Sequence, residues 1–185
     1  MKQNDIKKIV EDLIQTFLDA GKVSLDLRKK GLIKEIKSDN TPVSNGDLEV
    51  NKILTKKILE LTPNIPIVSE ETSENKSQDN LEDFWLIDPI DGTYDYINDL
   101  DEFTINAGLI IKKKPAAGLI YAPAKNRMFY SYGDNLSFEL IDGKPIKLDH
   151  SKNFDKNEIK FVSYSNKIKP EISDIYKKLK VKKYV

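Results

Sequence analysis

The spacing of apolar residues predicts two helices in the first third of the chain. Between residues 5 and 20, apolar side chains recur three or four positions apart, as one face of an amphipathic helix requires, and Gly21 follows where such a helix commonly ends. The same spacing returns after a polar stretch and predicts a second helix that begins near Ser44 or Asn45. Asp47 then lies in the first turn of the second helix.

The middle of the chain changes to the short apolar runs that are typical of β-strands. Two runs, IPIV and FWLI, are each followed by acidic residues, and from Phe103 onward four further runs are separated by glycine, proline and lysine. This pattern predicts an antiparallel meander formed by FTINAGLII, AAGLIYAP, RMFYSYG and SFELIDG. The strand IKFVSYS, a helix begun by Pro170 and the alternating VKKYV follow. Strands flanked by helices in this order predict an α+β fold.

Composition excludes several classes of function. The 30 basic and 30 acidic residues give a formal net charge of zero, so no overall charge favours a nucleic acid polymer or an anionic membrane. The chain has no cysteine, which removes disulfides, zinc–thiolate centres and a cysteine nucleophile. Its single histidine, His150, has no other histidine or cysteine at the spacing of metal ligands, and it is interpreted as a solvated linker residue. The N-terminus has no apolar core of signal-peptide length, and no apolar run reaches the ~18 residues that a membrane span requires, which predicts a soluble, cytoplasmic protein.

The acidic residues that follow two predicted strands are the strongest candidates for chemistry. Glu70 and Glu71 follow IPIVS, and Asp88 and Asp91 follow FWLI. Loops at strand ends commonly carry the functional groups of a rigid scaffold. Carboxylates without histidine or cysteine are hard oxygen ligands, which suit Mg²⁺, Mn²⁺ or Ca²⁺ and not Zn²⁺ or copper.

The residues after Asp91 add a candidate anion site. Gly92 permits a tight turn, and Thr93 is predicted to cap the next helix, whose first N–H groups would face the carboxylates. A cation beside such a helix start would hold a phosphate ester between metal and backbone, and the expected chemistry is metal-assisted hydrolysis.

Two other interpretations compete with this one. Asp-Pro and Asp-Gly are common turn dipeptides, and adjacent glutamates before a polar loop are commonly solvated, so turn chemistry explains either cluster taken alone. Twelve residues counted from Asp91 also place acids as in an EF-hand calcium loop. That loop requires glycine at its sixth position, where this chain has Tyr96.

The segment Asp-Pro-Ile-Asp-Gly-Thr, together with the upstream VSEE, resembles the inositol monophosphatase family of lithium-sensitive, magnesium-dependent phosphatases. The resemblance implies a layered αβαβα sugar-phosphatase fold and a Mg²⁺ cofactor, with two or three ions in a complete enzyme. It also implies that a small phosphorylated substrate is the partner. The implied metal ligands are Glu70, Asp88, Asp91 and the backbone carbonyl of Ile90; the implied catalytic residues are Asp47, Thr93 and Glu70; the implied substrate-binding residues are Gly92 and Thr93.

Two further segments, KSDNTPVSNGD and DEFTINAGLI, are most similar to the 3'(2'),5'-bisphosphate nucleotidases of the CysQ type. Those enzymes remove the 3'-phosphate of adenosine 3',5'-bisphosphate, a by-product of sulfate assimilation. An inositol or other sugar monophosphatase is the alternative enzyme. An inactive fragment with residual cation binding is the alternative of another class.

One departure from the family pattern concerns its second half. The family's Gly-Ser-Ser-x-Lys segment and its Trp-Asp-x-Ala-Ala-Gly motif do not occur in this sequence. We therefore expect an N-terminal α+β domain with the metal-binding loops over 1–149 and the truncated beginning of a C-terminal α/β domain over 150–185. We also expect impaired activity, and uncovered apolar faces that favour aggregation or a homodimer.

Overall fold

The structure, a computed structural model, describes residues 1–37, 41–71, 80–149, 160–161, 170–179 and 183–184. The chain divides into two compact units, Met1–Leu148 and Asp149–Val185. His150 lies outside the described residues, as does most of the predicted strand IKFVSYS. Among the described residues, no helix has the length and apolar character needed to cross a membrane.

The first unit contains three helices, nine strands and a 3-10 turn within the part of the chain that the structure describes. In chain order these are α1 Gln3–Lys30, β1 Lys34–Ile36, β2 Pro42–Ser44, α2 Asn45–Leu61, β3 Ile67–Ser69, β4 Phe84–Asp91, α3 Thr93–Ile97, β5 Thr104–Ile111, β6 Lys114–Ala122, the 3-10 turn Pro123–Lys125, β7 Arg127–Ser131, β8 Ser137–Ile141 and β9 Lys144–Lys147. In the second unit, β10 Lys160–Phe161 pairs in parallel with β11 Lys183–Tyr184, and α4 Pro170–Leu179 begins at the predicted proline.

Seven strands form one sheet in the order β3-β4-β5-β6-β7-β8-β9. The pair β3–β4 is parallel and every later pair is antiparallel, so the predicted meander is confirmed. The long helices α1 and α2 pack on one face of the sheet, where alternate strand residues are apolar. The largest fully buried side chains of this core are Trp85, Tyr96, Phe17, Phe103, Leu13 and Leu54.

The first helix extends ten residues beyond its predicted end at residue 20, because Gly21 has another role. Gly21 is buried inside α1, and a Cβ atom there would collide with the aromatic ring of Tyr121 and lie 3.1 Å from Pro123. The glycine therefore lets the helix approach β6 closely, and it does not end the helix. The helix ends instead at Gly31, which has a φ of +94°, after three basic residues in its last turn.

Replacing Gly21 by alanine is expected to destabilise the chain by about 1–2 kcal/mol. Overpacking a core costs about 1–3 kcal/mol, and the better helix propensity of alanine returns up to about 1 kcal/mol. Urea denaturation of Gly21→Ala measures the difference. The matched control is Lys22→Ala on the exposed side of the same helix, which should stay within about 0.5 kcal/mol of the wild type. An equally stable Gly21→Ala chain would show that the close approach to Tyr121 is not limiting.

A β-bulge in β4 places the two aspartates of the motif on one face of the sheet. Asp88 pairs with Asn106 of β5, whereas Asp91 pairs with Thr104, so three steps along β4 correspond to two along β5. Residues three apart in a regular strand point to opposite faces, and the one-residue bulge removes that difference. Pro89 lies within the irregular segment, where its missing N–H removes one ladder hydrogen bond. The spacing Asp-Pro-Ile-Asp thus brings two carboxylates to the same side.

Candidate active site

Asp88 carries a buried carboxylate oxygen that lacks an ordinary partner. Its Oδ1 makes no hydrogen bond to any described residue. Burial, and then the negative charges of Glu70, Asp91, Glu71 and Asp47, raise the pKa of Asp88 to about 7. The carboxylates that the sequence singled out are therefore close enough to act on one another electrostatically.

The two glutamates after β3 occupy different environments. The side chain of Glu71 is 4% exposed and lies 2.9 Å from the Lys37 ammonium group, whereas that of Glu70 is 49% exposed and lies 3.5 Å from it. Burial raises the pKa of Glu71, and Lys37 offsets part of that effect. Burial by itself would lower the pKa of Lys37, but the hydrogen bond from Lys37 to Glu71 and the charges of the two glutamates raise it. Lys37 is therefore a fixed cation at the edge of the carboxylate cluster.

The turn that carries the glutamates is fixed by the sheet and by α2. The Glu70 N–H donates to the Ile87 carbonyl at 3.2 Å, which ties the end of β3 to β4. The Ser69 hydroxyl donates to Asn51 Oδ1 at 2.7 Å and accepts from the Glu71 N–H at 3.3 Å. These bonds place Glu70 beside β4, just before the motif.

Asp47 joins the start of α2 to the residue after the motif. Its Oδ2 accepts hydrogen bonds from the Ser44 N–H at 2.8 Å and the Ser44 hydroxyl at 2.6 Å, which forms a capping box. Its Oδ1 accepts a hydrogen bond from the Thr93 hydroxyl at 3.2 Å. Asp47 is 1% exposed, so its carboxylate has little freedom to move away from Thr93. The predicted start of the second helix is confirmed, and Asp47 and Thr93, the two residues that the resemblance implies as catalytic partners of Glu70, are in contact.

Thr93 does not cap the helix that follows it, contrary to the sequence-based expectation. The N-cap of α3 is Gly92, in the left-handed conformation with a φ of +92°, and Thr93 is the first helical residue. The Thr93 hydroxyl points back toward the motif, where the Ile90 carbonyl at 3.0 Å is an alternative acceptor for its single hydrogen. A Cβ atom on Gly92 would lie 2.7 Å from the Glu102 carbonyl oxygen, so this close turn requires glycine.

Asn106 is a site residue that sequence reasoning did not single out. Its Nδ2 donates to Asp91 Oδ2 at 3.1 Å, and its Oδ1 is buried without a hydrogen-bond partner among the described residues. Asn106 belongs to FTIN, a segment that carried the resemblance, but only the register of β4 against β5 places it beside Asp88. Lys37 is likewise part of a segment that carried the resemblance, KSDNTPVSNGD, but nothing in the sequence marked it as a neighbour of the carboxylates.

The chemistry of the donor set fits a divalent cation, although its carboxylates do not converge on a single point. Within the described ranges, no three carboxylates lie close enough together to hold a metal ion. Like charges repel, and Lys37 attracts Glu70 and Glu71 at the edge of the cluster. A buried, unpartnered carboxylate oxygen in a field of four further carboxylates is nevertheless an arrangement that a bound cation would stabilise.

Comparison with known proteins identifies the family. The model of the inositol monophosphatase family matches residues 5–184 of the 185-residue chain. The chain belongs to the inositol monophosphatase family. Among curated relatives of this family, the 3'(2'),5'-bisphosphate nucleotidase CysQ of Haemophilus influenzae is 36% identical over 155 residues, which are 83% of this chain and 55% of that protein. The chain spans about half the length of the curated relatives it matches.

Solved structures of inositol monophosphatase proteins share the fold. CysQ from Bacteroides thetaiotaomicron superposes with a TM-score of 0.67 at 20% identity, over 98% of this chain and 72% of that one. An IMPase/NADP phosphatase complexed with Mg²⁺ and phosphate superposes with a TM-score of 0.75 at 15% identity, over 99% of this chain and 67% of that one. The fold class and the family that the motif implied are confirmed. The roles assigned to individual site residues stay predictions.

Proposed function

We propose that the chain is a Mg²⁺-dependent phosphomonoester hydrolase that removes the 3'-phosphate of adenosine 3',5'-bisphosphate. One observation carries the proposal: the unpartnered Asp88 oxygen, repelled by four neighbouring carboxylates, lies on the same motif as Thr93, whose hydroxyl donates to Asp47 of α2. The similarity to CysQ nucleotidases supports the nucleotide substrate, and the Mg²⁺ and phosphate in a related fold support the cofactor.

The proposed cation ligands are Glu70, Asp88, Asp91 and the Ile90 carbonyl, with Glu70 also in the catalytic set. A bound Mg²⁺ would polarise the phosphoryl oxygens and lower the pKa of a ligated water. The four ligands come from the end of β3 and the bulged end of β4, two strands that pair in parallel. The pairing of the two strands therefore supports a shared role for the four proposed ligands.

Thr93 and Asp47 have the geometry to orient an attacking water. When the Thr93 hydroxyl donates its hydrogen to Asp47 Oδ1, its oxygen lone pairs remain available to accept a hydrogen bond from water. The Asp47 carboxylate is itself held by Ser44, which keeps the acceptor for that hydrogen in place. The pair would thus align a water for attack on phosphorus and receive its proton. The Gly92 and Thr93 N–H groups are the proposed backbone contacts of the phosphate.

Phosphate release from defined substrates tests this proposal. The purified chain is incubated with adenosine 3',5'-bisphosphate, inositol 1-phosphate or adenosine 5'-monophosphate, with Mg²⁺ or with EDTA. We expect Mg²⁺-dependent conversion of the bisphosphate to adenosine 5'-monophosphate and one phosphate, and little release from the other two. Faster release from inositol 1-phosphate would show that the substrate is an inositol or other sugar phosphate and not the nucleotide. A folded chain that releases phosphate from none of them would support the inactive alternative. Lithium sensitivity, a cytoplasmic location and a homodimer stay predictions.

A further inference from the structure

Asn106 and Asp88 present two buried acceptor oxygens to the same side of the sheet. The two residues are directly paired across β4 and β5, so their side chains leave the same face with Cβ atoms about 4.5–5.5 Å apart. Oδ1 of each residue is buried and has no hydrogen-bond partner among the described residues. The orientation of the Asn106 amide is fixed independently, because its Nδ2 donates to Asp91 Oδ2 at 3.1 Å.

Neither oxygen can satisfy the other while Asp88 is ionised, because both are acceptors. A buried acceptor without a donor costs about 1–3 kcal/mol, and folded proteins leave few such groups. A water molecule with two O–H groups, or a hydrated cation, satisfies two neighbouring acceptors at once. Mg²⁺ commonly keeps several of its waters when it binds to protein carboxylates.

We propose that Asn106 is a positioning residue of the cation site and acts through both ends of its amide. Its Nδ2–H holds one oxygen of the Asp91 carboxylate, which leaves the other oxygen free for the cation. Its Oδ1 accepts a hydrogen bond from a water of the cation's hydration shell, next to Asp88. This inference deepens the proposed function and rests on the cation site that the function requires.

The chemistry at position 106 requires an amide. Aspartate would lose the donor to Asp91 and add another negative charge to the cluster that surrounds Asp88. Leucine has a similar size but neither donor nor acceptor, so it removes the unpartnered oxygen together with the support of Asp91. Removing a buried, unsatisfied acceptor is neutral or stabilising in itself.

The test separates cation binding from stability. Mn²⁺ affinity is measured by titration calorimetry, and thermal stability in EDTA is measured in parallel, for the wild type, Asn106→Leu and Asn106→Ala. We expect both variants to bind Mn²⁺ about 10–100-fold more weakly, as is typical when a group that orients a metal ligand is lost. We expect the metal-free Asn106→Leu chain to be at least as stable as the wild type. Ser131 lies in β7, on the same face of the sheet as Asn106 and away from the site. Ser131→Ala is therefore the control and should bind Mn²⁺ normally.

Three results would overturn the inference about Asn106. Unchanged Mn²⁺ affinity in a folded Asn106→Ala chain would show that Asn106 does not position the cation site. A metal-free variant that is less stable, with unchanged affinity, would show that Asn106 serves packing alone. If the wild-type chain binds no Mn²⁺, both the cation site and the proposed function are contradicted. If Mn²⁺ binds and the variants weaken it while no substrate is hydrolysed, the inference stands and the proposed function fails.

Discussion

Replacing Asp88 by asparagine should make the metal-free chain more stable while lowering its affinity for divalent cations at least 100-fold. The wild-type carboxylate is buried without a partner for Oδ1, and four neighbouring carboxylates repel its charge. Asparagine removes that charge with little change of shape. It also removes a proposed ligand, so the same substitution should improve folding and impair binding. Calorimetric titration with Mg²⁺ measures the second effect.

The gain in stability should depend on pH. The folded-state pKa of Asp88 is about 7, above its ordinary value of 3.8, so the folded chain holds this proton more tightly than the unfolded chain does. The Asp88 contribution to the free energy of unfolding therefore falls as pH rises from about 4 to 7, and it is constant above that range. The advantage of Asp88→Asn should be near zero at pH 4 and about 1–2 kcal/mol at pH 8, because partial solvation reduces the full effect.

Urea denaturation in EDTA at pH 4, 6 and 8 measures this difference. Asp83→Asn is the matched control, because Asp83 is exposed, lies just before the same strand and is outside the carboxylate cluster. A mutant that is less stable than the wild type at pH 8, or a difference that does not change with pH, would contradict the assigned environment of Asp88.

Replacing Asp47 by asparagine should lower kcat by about 10²–10³-fold and change the cation affinity less than about threefold. The amide would donate to the Thr93 oxygen through its NH₂ group, while its carbonyl keeps the bond with Ser44. Thr93 would then become an acceptor toward residue 47 and would direct its hydrogen to water or to the Ile90 carbonyl. The water would lose the acceptor for its proton, and a correctly placed acid–base group contributes about 10²–10⁴-fold to a rate.

Steady-state kinetics with adenosine 3',5'-bisphosphate, together with cation titration, test this separation. Glu49→Gln removes a carboxylate from the same helix without touching Thr93, and it should keep nearly normal kinetics. Melting temperatures show whether replacing the carboxylate of the capping box by an amide, in a cap worth about 1 kcal/mol, unfolds any of the chain during the assay. An equal loss of cation affinity and kcat in Asp47→Asn would show that Asp47 holds the cation and does not orient water.

Local sequence signals predicted much of the fold correctly. Ser44 followed by Asp47 marks a capping box, so the start of α2 and the place of Asp47 depend on four neighbouring residues. The antiparallel meander was visible for the same reason, because glycine, proline and lysine interrupt its apolar runs within a few residues. The proline at residue 170 likewise marked the first residue of α4.

Features that depend on distant contacts were missed or misassigned. Gly21 follows an apolar helical pattern in the same way as a helix-ending glycine does, and only its contact with Tyr121, a hundred residues later, shows its other role. The bulge that aligns Asp88 with Asp91 is a property of the pairing with β5. Asn106 enters the site through that same register. Local composition therefore located the carboxylates, and strand pairing determined which groups surround them.

The proposed function requires that the carboxylates around Asp88 hold a divalent cation against a phosphate. Anomalous diffraction at the manganese edge, from crystals of this chain soaked with MnCl₂ and inorganic phosphate, would locate that cation. We expect an anomalous peak within about 2.0–2.4 Å of oxygens from Glu70, Asp88, Asp91 and the Ile90 carbonyl, with phosphate next to Gly92 and Thr93. Clear density for these side chains without a manganese peak among them, or manganese bound only elsewhere, would contradict it.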